Sequence, residues 1–585
     1  MGQTQPVFKI LIRLSRHIKP RRRTQFALLL VLIILCSFAE IISIGAVMPF
    51  LGSLTAPNRI FEHSTAQPFI NALGINNKDQ ILLPLTVAFS LAVLVATVLR
   101  LLLLGSTVRL AFSVGTEISS EIYRRTLFQP YLTHISRNSS EVISGISTKV
   151  GEVIFYILMP TLNLISAAIM IVAILIGLLM IIPGVAVASV GGFGLFYFIT
   201  IRLVKNRLKK NSQLIAQEST QIIKTLQEGL GGIRDVLLDG TQEYFCSNYQ
   251  VADLRLRSAQ ADNQFISSTP RYLMEALAIL FIAILAYVLS MQSDGIVSVI
   301  PMLAAMALGM QRLLPASQLA YGSWSTIQGA QASLTDVLLL LDQPLTNYID
   351  TVVPSPLPFR QQISLNCVSF RYGPQTPWII KNCVLNIKKG SRIGIIGSTG
   401  SGKSTLLDII MGLLQPTKGS IEVDGRQINA VNFRSWQMHI AHVPQVIFLA
   451  DTSVESNIAF GVPKDKINHN LVRRAAQQAQ ISDIIEAWPN QYQSFIGERG
   501  IQLSGGQRQR IGIARALYKC ADVIIFDEST NALDSDTEKA VMDAVDKLSK
   551  DLTIFIIAHR LSTLKSCTQI VEVFNGSIKI SEAVN

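Results

Sequence analysis

The stretch Gly397-Ser398-Thr399-Gly400-Ser401-Gly402-Lys403-Ser404-Thr405 sets a lysine and a hydroxyl behind a run of small residues. The spacing fits G-x-x-x-x-G-K-[ST]. In that pattern backbone N–H groups wrap phosphate oxygens, Lys403 reaches the β/γ oxygens and Ser404 presents its hydroxyl to Mg2+. Further on, Leu503-Ser504-Gly505-Gly506-Gln507 precedes good helix formers, so Ser504 and Gly506 would offer a hydroxyl and N–H groups at a helix N-terminus, where anions bind. The apolar run 523–526 then ends in Asp527-Glu528. Asp527 is suited to the Mg2+ shell and Glu528 to polarising an attacking water. An Asp-Glu pair behind a strand is, alone, more often a solvated turn. All three stretches in this order point to a machine that binds ATP with Mg2+ and hydrolyses it.

The elements that position these groups divide the chain in two. Of 585 residues, 49% are hydrophobic and only 15% charged, and the mean hydropathy of +0.39 points to membrane-embedded mass. The apolar residues crowd between 26 and 316, whereas beyond Phe359 the composition is that of a soluble α/β domain. Apolar stretches long enough to cross a bilayer occur at 26–51, 81–104, 154–182, 185–201, 273–291 and 296–314. Six transmembrane helices are expected, and the first, too long for a signal-peptide core and without a small-x-small cleavage site, should be retained. The six cysteines (Cys36, Cys246, Cys367, Cys383, Cys520 and Cys567) show no C-x-x-C spacing and are expected to be reduced, packed thiols.

The net charge of +12 suggests nucleic acid until its placement is considered. Lys19, Arg21, Arg22 and Arg23 abut the first apolar stretch and Lys205, Arg207, Lys209 and Lys210 the fourth, which is the juxtamembrane pattern of cytosolic flanks facing anionic lipid. No basic and aromatic residues interleave in the soluble half, so no nucleic-acid partner is expected. The turns after the third and fifth spans hold no Lys or Arg, while the segments after the second and fourth hold Arg109, Arg124, Arg125, Arg137, Lys149, Lys224, Arg234, Arg255 and Arg257. The positive-inside rule therefore places the N-terminus, both long loops and the C-terminal domain in the cytosol. Helical periodicity through the loops predicts extensions of the spans, with a short helix at each tip near 131–138 and 239–249. Residues 60–73 fit a short amphipathic helix or a plain loop equally well. Pro344, Pro354, Pro356 and Pro358 mark a linker. The expected organisation is a cytosolic segment 1–25, a helical membrane domain 26–341, a linker 342–360 and an ATPase domain 361–585.

Residues 363–582 resemble the nucleotide-binding domain of ABC transporters, and nearly the whole chain resembles an exporter half-transporter: a six-helix membrane bundle followed by an α/β P-loop ATPase domain. The resemblance implies that Tyr372 sets its ring against adenine and that Gln445, in Val443-Pro444-Gln445, touches Mg2+ and the attacking water. It implies that His559, behind the apolar run 553–558, contacts the γ-phosphate, although a lone histidine is usually structural. It further implies that Ser504, Gly505, Gly506 and Gln507 meet ATP held by a second subunit, so that a dimer is obligatory and a homodimer simplest. One departure is Asn531 where serine is usual ahead of Ala532-Leu533-Asp534. Glu498 and Arg499 resemble an exporter-specific loop, which weighs against uptake.

The cargo must be argued from the membrane half. Arg100, Arg271 and Arg312 lie in or at the ends of apolar spans, with Glu40 and Glu275 nearby. Charges there cost a few kcal/mol each on insertion scales and face a cavity or a partner. One reading pairs Arg271 with Glu275 and lets the others snorkel. The other is an arginine-lined cavity for phosphate or pyrophosphate. The stretches 37–50, 138–141, 231–245 and 312–315 are similar to the bacterial flippase for lipid-linked oligosaccharides and to polysaccharide exporters, which implies turning a polyprenyl-pyrophosphate glycan from the inner to the outer leaflet of the bacterial inner membrane. A lipid A, phospholipid or multidrug exporter shares every ATPase motif. So does a different class, an ATP-gated channel or regulatory membrane ATPase. A peptide exporter with its own peptidase is disfavoured by the short stretch ahead of the first span.

Overall fold

A computed structural model describes residues 6–55, 81–181, 183–290, 296–344, 355–527, 535–546, 551–557 and 567–582. The chain forms two compact units, one of residues 1–129 and 137–345, the other of 130–136 and 346–585.

The described residues of the first unit form helices joined by short turns. Its long elements are Pro20–Thr55, Leu82–Leu127, a run over 139–181, Pro183–Gly231, Gln242–Ser290 and Ile296–Gly329. Among the described residues, Pro20–Ser43, Leu82–Leu127 and Ser139–Ile176 are long and apolar enough to cross a membrane. The stretches expected at 185–201 and 296–314, and 273–291 up to residue 290, have helical backbone, although many of their side chains lie outside those described. Leu82–Leu127, with 46 residues, and Pro183–Gly231 and Gln242–Ser290, with 49 each, reach about 70 Å at about 1.5 Å per residue. A bilayer core is only about 30 Å thick, so these helices run well past it, as their periodicity predicts.

Within this unit the buried side chains gather along those extensions. Ile118, Ile122, Val150, Val153, Leu334, Val337 and Leu338 form one core with Ile10 and Leu14 of the N-terminal helix Val7–His17. The run 139–181 holds two π-helical turns, Gly145–Lys149 and Ile154–Leu158. Close packing fixes the first of them: a Cβ on Gly145 would come within 2.4 Å of Leu340 Cδ1.

A short helix Tyr131–Ser136 stands where the first loop tip was expected, and Asn138 Oδ1 accepts the Ser140 N–H (3.0 Å) to cap the next helix. The second tip differs from expectation. Its short helix is Ile233–Leu238, while the segment from Gln242 onward already belongs to the next long helix. Gly231-Gly232 ends the preceding helix and Gly240, at φ +64°, turns the chain one step earlier than the sequence suggested. The amphipathic stretch 60–73 and linker residues 345–354 lie outside the described residues.

The second unit holds two sheets. Strands β1 (Gln362–Phe370), β2 (Ile380–Lys388), β4 (Lys418–Val423) and β5 (Arg426–Gln427) form an antiparallel sheet in the order β2-β1-β4-β5. Strands β3 (Arg392–Ile396), β6 (Ile440–Val443), β7 (Val523–Asp527), β8 (Thr553–Ile557), β9 (Gln569–Phe574) and β10 (Ser577–Glu582) form the order β10-β9-β3-β8-β7-β6, parallel except for the β9-β10 hairpin. The apolar runs of β7 and β8 follow from burial on both faces. Side chains alternate along a strand, so Val523, Ile525, Phe555 and Ile557 enter a core with Leu406, Ile409 and Trp436. Ile524, Phe526, Ile554 and Ile556 enter another core with Ile511, Ala514 and Leu517 of the helix Gly505–Tyr518. One parallel sheet thereby fixes a phosphate-loop helix on one face and the helix behind Ser504 on the other.

Candidate functional site

The loop 397–402 leaves β3 and enters the helix Lys403–Ile410. Two of its glycines are demanded by geometry. Gly397 has φ +150° and a Cβ there would lie 2.3 Å from the Val573 carbonyl oxygen; Gly402 has φ +106°, and a Cβ would lie 3.0 Å from Ile379 Cγ2. The loop is thus pinned against β9 and the segment before β2 while its backbone turns to open a helix.

Lys403, only 8% exposed, lies over this loop and donates to the carbonyl oxygens of Gly397 (2.9 Å) and Ser398 (3.1 Å). Ser401 Oγ is buried and has no hydrogen-bond partner among the described residues. A buried ammonium held by carbonyls beside an orphaned hydroxyl fits a phosphate chain, whose oxygens supply the missing acceptors. Ser404 is exposed at the start of the helix, and Thr405 Oγ1 shares a 3.0 Å hydrogen bond with the Tyr372 hydroxyl. Tyr372 stands edge-on to Phe370, with ring centroids 5.1 Å apart, and leaves 39% of its surface open for a further ring.

Sequence reasoning missed Asp408. Burial, and next the charge of Asp527, push its carboxyl up to about 6. Asp527 ends β7, and Asp408 lies one helical turn beyond Ser404. Two carboxylates close enough to perturb one another, with a hydroxyl on the adjoining turn, are the hard oxygen donors that Mg2+ takes. The signal for Asp408 was present as an i, i+4 relation to Ser404, but only the β7 strand end gives it meaning.

Ser504 and Gln507 form a reciprocal capping box: Ser504 Oγ accepts the Gln507 N–H (3.2 Å) and Gln507 Oε1 accepts the Ser504 N–H (2.9 Å). Gln507 is thereby occupied in shaping the turn, while Gly505 and Gly506 open the helix. Gln445 lines a cleft of about 590 Å³ with Val446, Phe448, Gly505, Arg508 and Gln509, so residues far apart in sequence meet there.

Arg515, also missed, ties this region together. It donates to the carbonyl oxygens of Phe448 (2.9 Å) and Asn457 (2.9 Å) and lies 4.5 Å over the Phe460 ring. Its burial lowers its pKa to about 10, which leaves it charged at neutral pH. The turn Glu498–Gly500 joins the same cluster, since a Cβ on Gly500 would lie 2.7 Å from Leu449 Cδ1. Glu528, Asn531, Asp534 and His559 lie outside the described residues, as does the side chain of Arg499.

In the helical unit, Arg100 pairs with Glu40, which is 2% exposed, across the first two long helices. Arg271 Nε donates to Glu275 Oε1 (3.0 Å), and Gln318 Nε2 reaches the same oxygen at 3.5 Å. These two arginines have separate carboxylate partners on different helices, which offset the insertion cost an unpaired charge would incur. The side chain of Arg312 is outside the described residues.

Residues 380–531 match the family model described as ABC transporter. An ATP-dependent lipid A-core flippase from Saccharophagus degradans is 30% identical over 473 residues, 80% of this chain and 78% of that protein. One of the same description from Cupriavidus metallidurans is 28% identical over 78% of this chain and 77% of that protein. Among solved structures, a bacterial Atm1-family ABC exporter with ATP bound superposes with a TM-score of 0.77 at 22% identity, covering 96% of this chain and 95% of that one. With the phosphate loop built as described behind a helical unit apolar enough to cross a membrane, the chain belongs to the ABC transporter family as a half-transporter whose ATPase domain binds and hydrolyses ATP to drive transport.

Proposed function

We propose that two copies of this chain form a homodimer in a bacterial inner membrane, with the ATPase domains (361–585) in the cytoplasm, and flip a phosphorylated glycolipid from the cytoplasmic to the outer leaflet. Residues 26–341 are the membrane domain of this reading. The observation that carries it is the buried, carbonyl-held Lys403 beside the orphaned Ser401 hydroxyl, in the same chain as an apolar helical unit.

In this reading the loop N–H groups and Lys403 hold the β/γ-phosphates, and Tyr372 flanks the adenine. Ser404, Asp527 and Gln445 hold Mg2+, with Asp408 behind them. The bound cation neutralises charge on the transferring phosphate. Glu528 takes the proton of the attacking water, Gln445 and His559 orient water and γ-phosphate, and the Ser504–Gln507 turn faces nucleotide held by the other copy. Its capping box presents Gly505 and Gly506 N–H groups at a helix N-terminus, where phosphate is favoured.

For the cargo we favour a polyprenyl-pyrophosphate oligosaccharide, met by Arg271 and Arg312 and, at the first two helices, by Arg100. A lipid A-core substrate is the second reading, favoured by the printed names of the relatives. Both carry phosphate on a saccharide lipid, so guanidinium groups suit either. The deciding experiment reconstitutes the protein into liposomes with labelled polyprenyl-pyrophosphate oligosaccharide in one set and lipid A-core in another, and scores ATP-dependent appearance on the face opposite the ATPase domains. Transfer of the first alone supports the favoured reading and transfer of the second alone the other. ATP hydrolysis with neither lipid moved overturns both, and ion current under ATP would mark a channel.

A further inference from the structure

A cleft of about 330 Å³ opens between the helices Pro20–Thr55 and Leu82–Leu127, lined by Arg22, Gln25, Ser106, Arg109 and Ser113 with Leu28, Leu29, Leu32 and Leu110. We propose that it is a binding site for one anionic phospholipid, which it takes from the leaflet at that boundary, a role separate from transport.

The order of the lining residues is that of a lipid. On the first helix, Arg22 and Gln25 come at the end outside the apolar stretch, and Leu28, Leu29 and Leu32 follow into it. On the second, Leu101–Leu104 give way to Ser106, Arg109 and Ser113, spaced to share one face. At a rise of about 1.5 Å per residue, Arg22 stands about 6 Å outside Phe26 and Arg109 about 7 Å beyond Leu104. The head-group layer of one leaflet is about 5–8 Å thick, so both guanidiniums lie at phosphate height. Leu28, 66% exposed, continues the wall below them.

Charge selects the occupant. Arg22 donates Nε to Glu117 (2.9 Å) and Nη1 to Gln25 (2.8 Å), which fixes its fork in place. Arg109 is exposed and, among the described residues, has no carboxylate partner. Two guanidiniums against the one carboxylate of Glu117 leave a single positive charge, matched by one phosphodiester. A pyrophosphate would bring at least one charge more than the cleft neutralises. The adjacent Arg23 is committed elsewhere: it donates to the carbonyl oxygens of Ser15 and Ile18 and closes the end of the N-terminal helix. An occupied cleft would therefore hold that helix, the first long helix and the second to the membrane surface together.

The test uses the full chain, delipidated in detergent and incubated with equimolar phosphatidylglycerol and phosphatidylcholine, with bound lipid counted by native mass spectrometry. Phosphatidylglycerol should be retained at one per chain, about five-fold over phosphatidylcholine, the preference expected of about one basic residue at a membrane surface. Arg109→Gln, and independently Ser113→Phe, which fills the cleft, should erase that preference while basal ATP hydrolysis and melting temperature stay unchanged. Equal retention of the two lipids by the unsubstituted protein, or a preference that survives both substitutions, overturns the proposal. A polyprenyl pyrophosphate that displaces phosphatidylglycerol at equimolar concentration also overturns it and assigns the cleft to the cargo.

Discussion

The two units place the same kinds of side chain in opposite positions. In the helical unit Leu83, Leu94, Leu101 and Leu203 are 74%, 63%, 64% and 76% exposed, whereas in the ATPase unit Trp436, Phe526 and Phe555 are at most 1% exposed. An apolar side chain gains nothing by leaving lipid tails but about 25 cal/mol per Å² by leaving water. The helical unit packs its core where its helices leave the apolar stretches, around Ile122, Val153 and Leu338, while the ATPase unit packs both faces of its parallel sheet. Charges differ in the same way. In the ATPase unit buried or half-buried Lys403 and Arg515 are held by backbone carbonyl oxygens and Asp408 lies beside Asp527; across the first two membrane helices Glu40 and Arg100 hold each other.

The strongest way to sharpen this contrast is to remove a reacting charge. Glu528→Gln should lower the rate of ATP hydrolysis by about 10²–10⁴-fold, the range for a general base, with nucleotide binding and the helical unit unaltered. Substantial residual turnover in a phosphate-release assay would remove Glu528 from the proposed role. Next in size, Trp436→Ala should destabilise the ATPase unit by about 3–5 kcal/mol, because it empties a closed core and orphans the Ile410 carbonyl that accepts its Nε1–H at 2.7 Å. Leu94→Ala, by contrast, should change thermal unfolding in lipid nanodiscs by less than about 1 kcal/mol, since it faces tails in both states. Equal losses at the two sites would break the comparison.

Arg100→Ala takes the guanidinium away from the buried Glu40 carboxylate and should cost about 2–4 kcal/mol, most of which a paired Glu40→Met/Arg100→Met chain recovers. A paired variant as unstable as the single one would contradict the structural role of the pair. If that paired variant instead keeps its melting temperature but loses glycolipid transfer, Arg100 serves the cargo as well.

The smallest effect is a gain. Asp408 has a folded pKa of about 6, raised from 3.8, so its stabilising contribution is full below about pH 4 and lost as pH rises through 6. Asp408→Asn should then raise stability by roughly 1 kcal/mol at pH 7.5, allowing for solvent screening of a partly exposed group, and by little near pH 4. Melting curves without Mg2+ that differ equally at both pH values would refute the assignment.

The phosphate loop was legible because its motif is contiguous: it is a local backbone shape, and Gly397 to Thr405 specify it within nine positions. The supports of the ATP site were not. Asp408 matters through β7, and Arg515 through a carbonyl at Phe448, neither of which any local pattern connects. The second loop tip was misplaced because Gly231-Gly232 and Gly240 each end a helix, and the short helix Ile233–Leu238 falls between them rather than beyond Gly240. The N-terminal helix shows its face at Val7, Ile10, Leu11 and Leu14, yet its burial depends on Leu334 to Leu338, hundreds of positions away.

By itself the sequence determined what is set by contiguous chemistry: apolar length for the helices, a glycine-lysine loop for phosphate, acidic residues at a strand end, and positive flanks at a membrane boundary. Only the tertiary structure decided which charges are partnered. It gave Arg100 to Glu40 and Arg271 to Glu275, set Asp408 beside Asp527, and brought Arg22 and Arg109 to one cleft. Such pairings join residues on different turns, helices or strands, and the free energy of a charge depends on what the fold brings within a few ångströms of it.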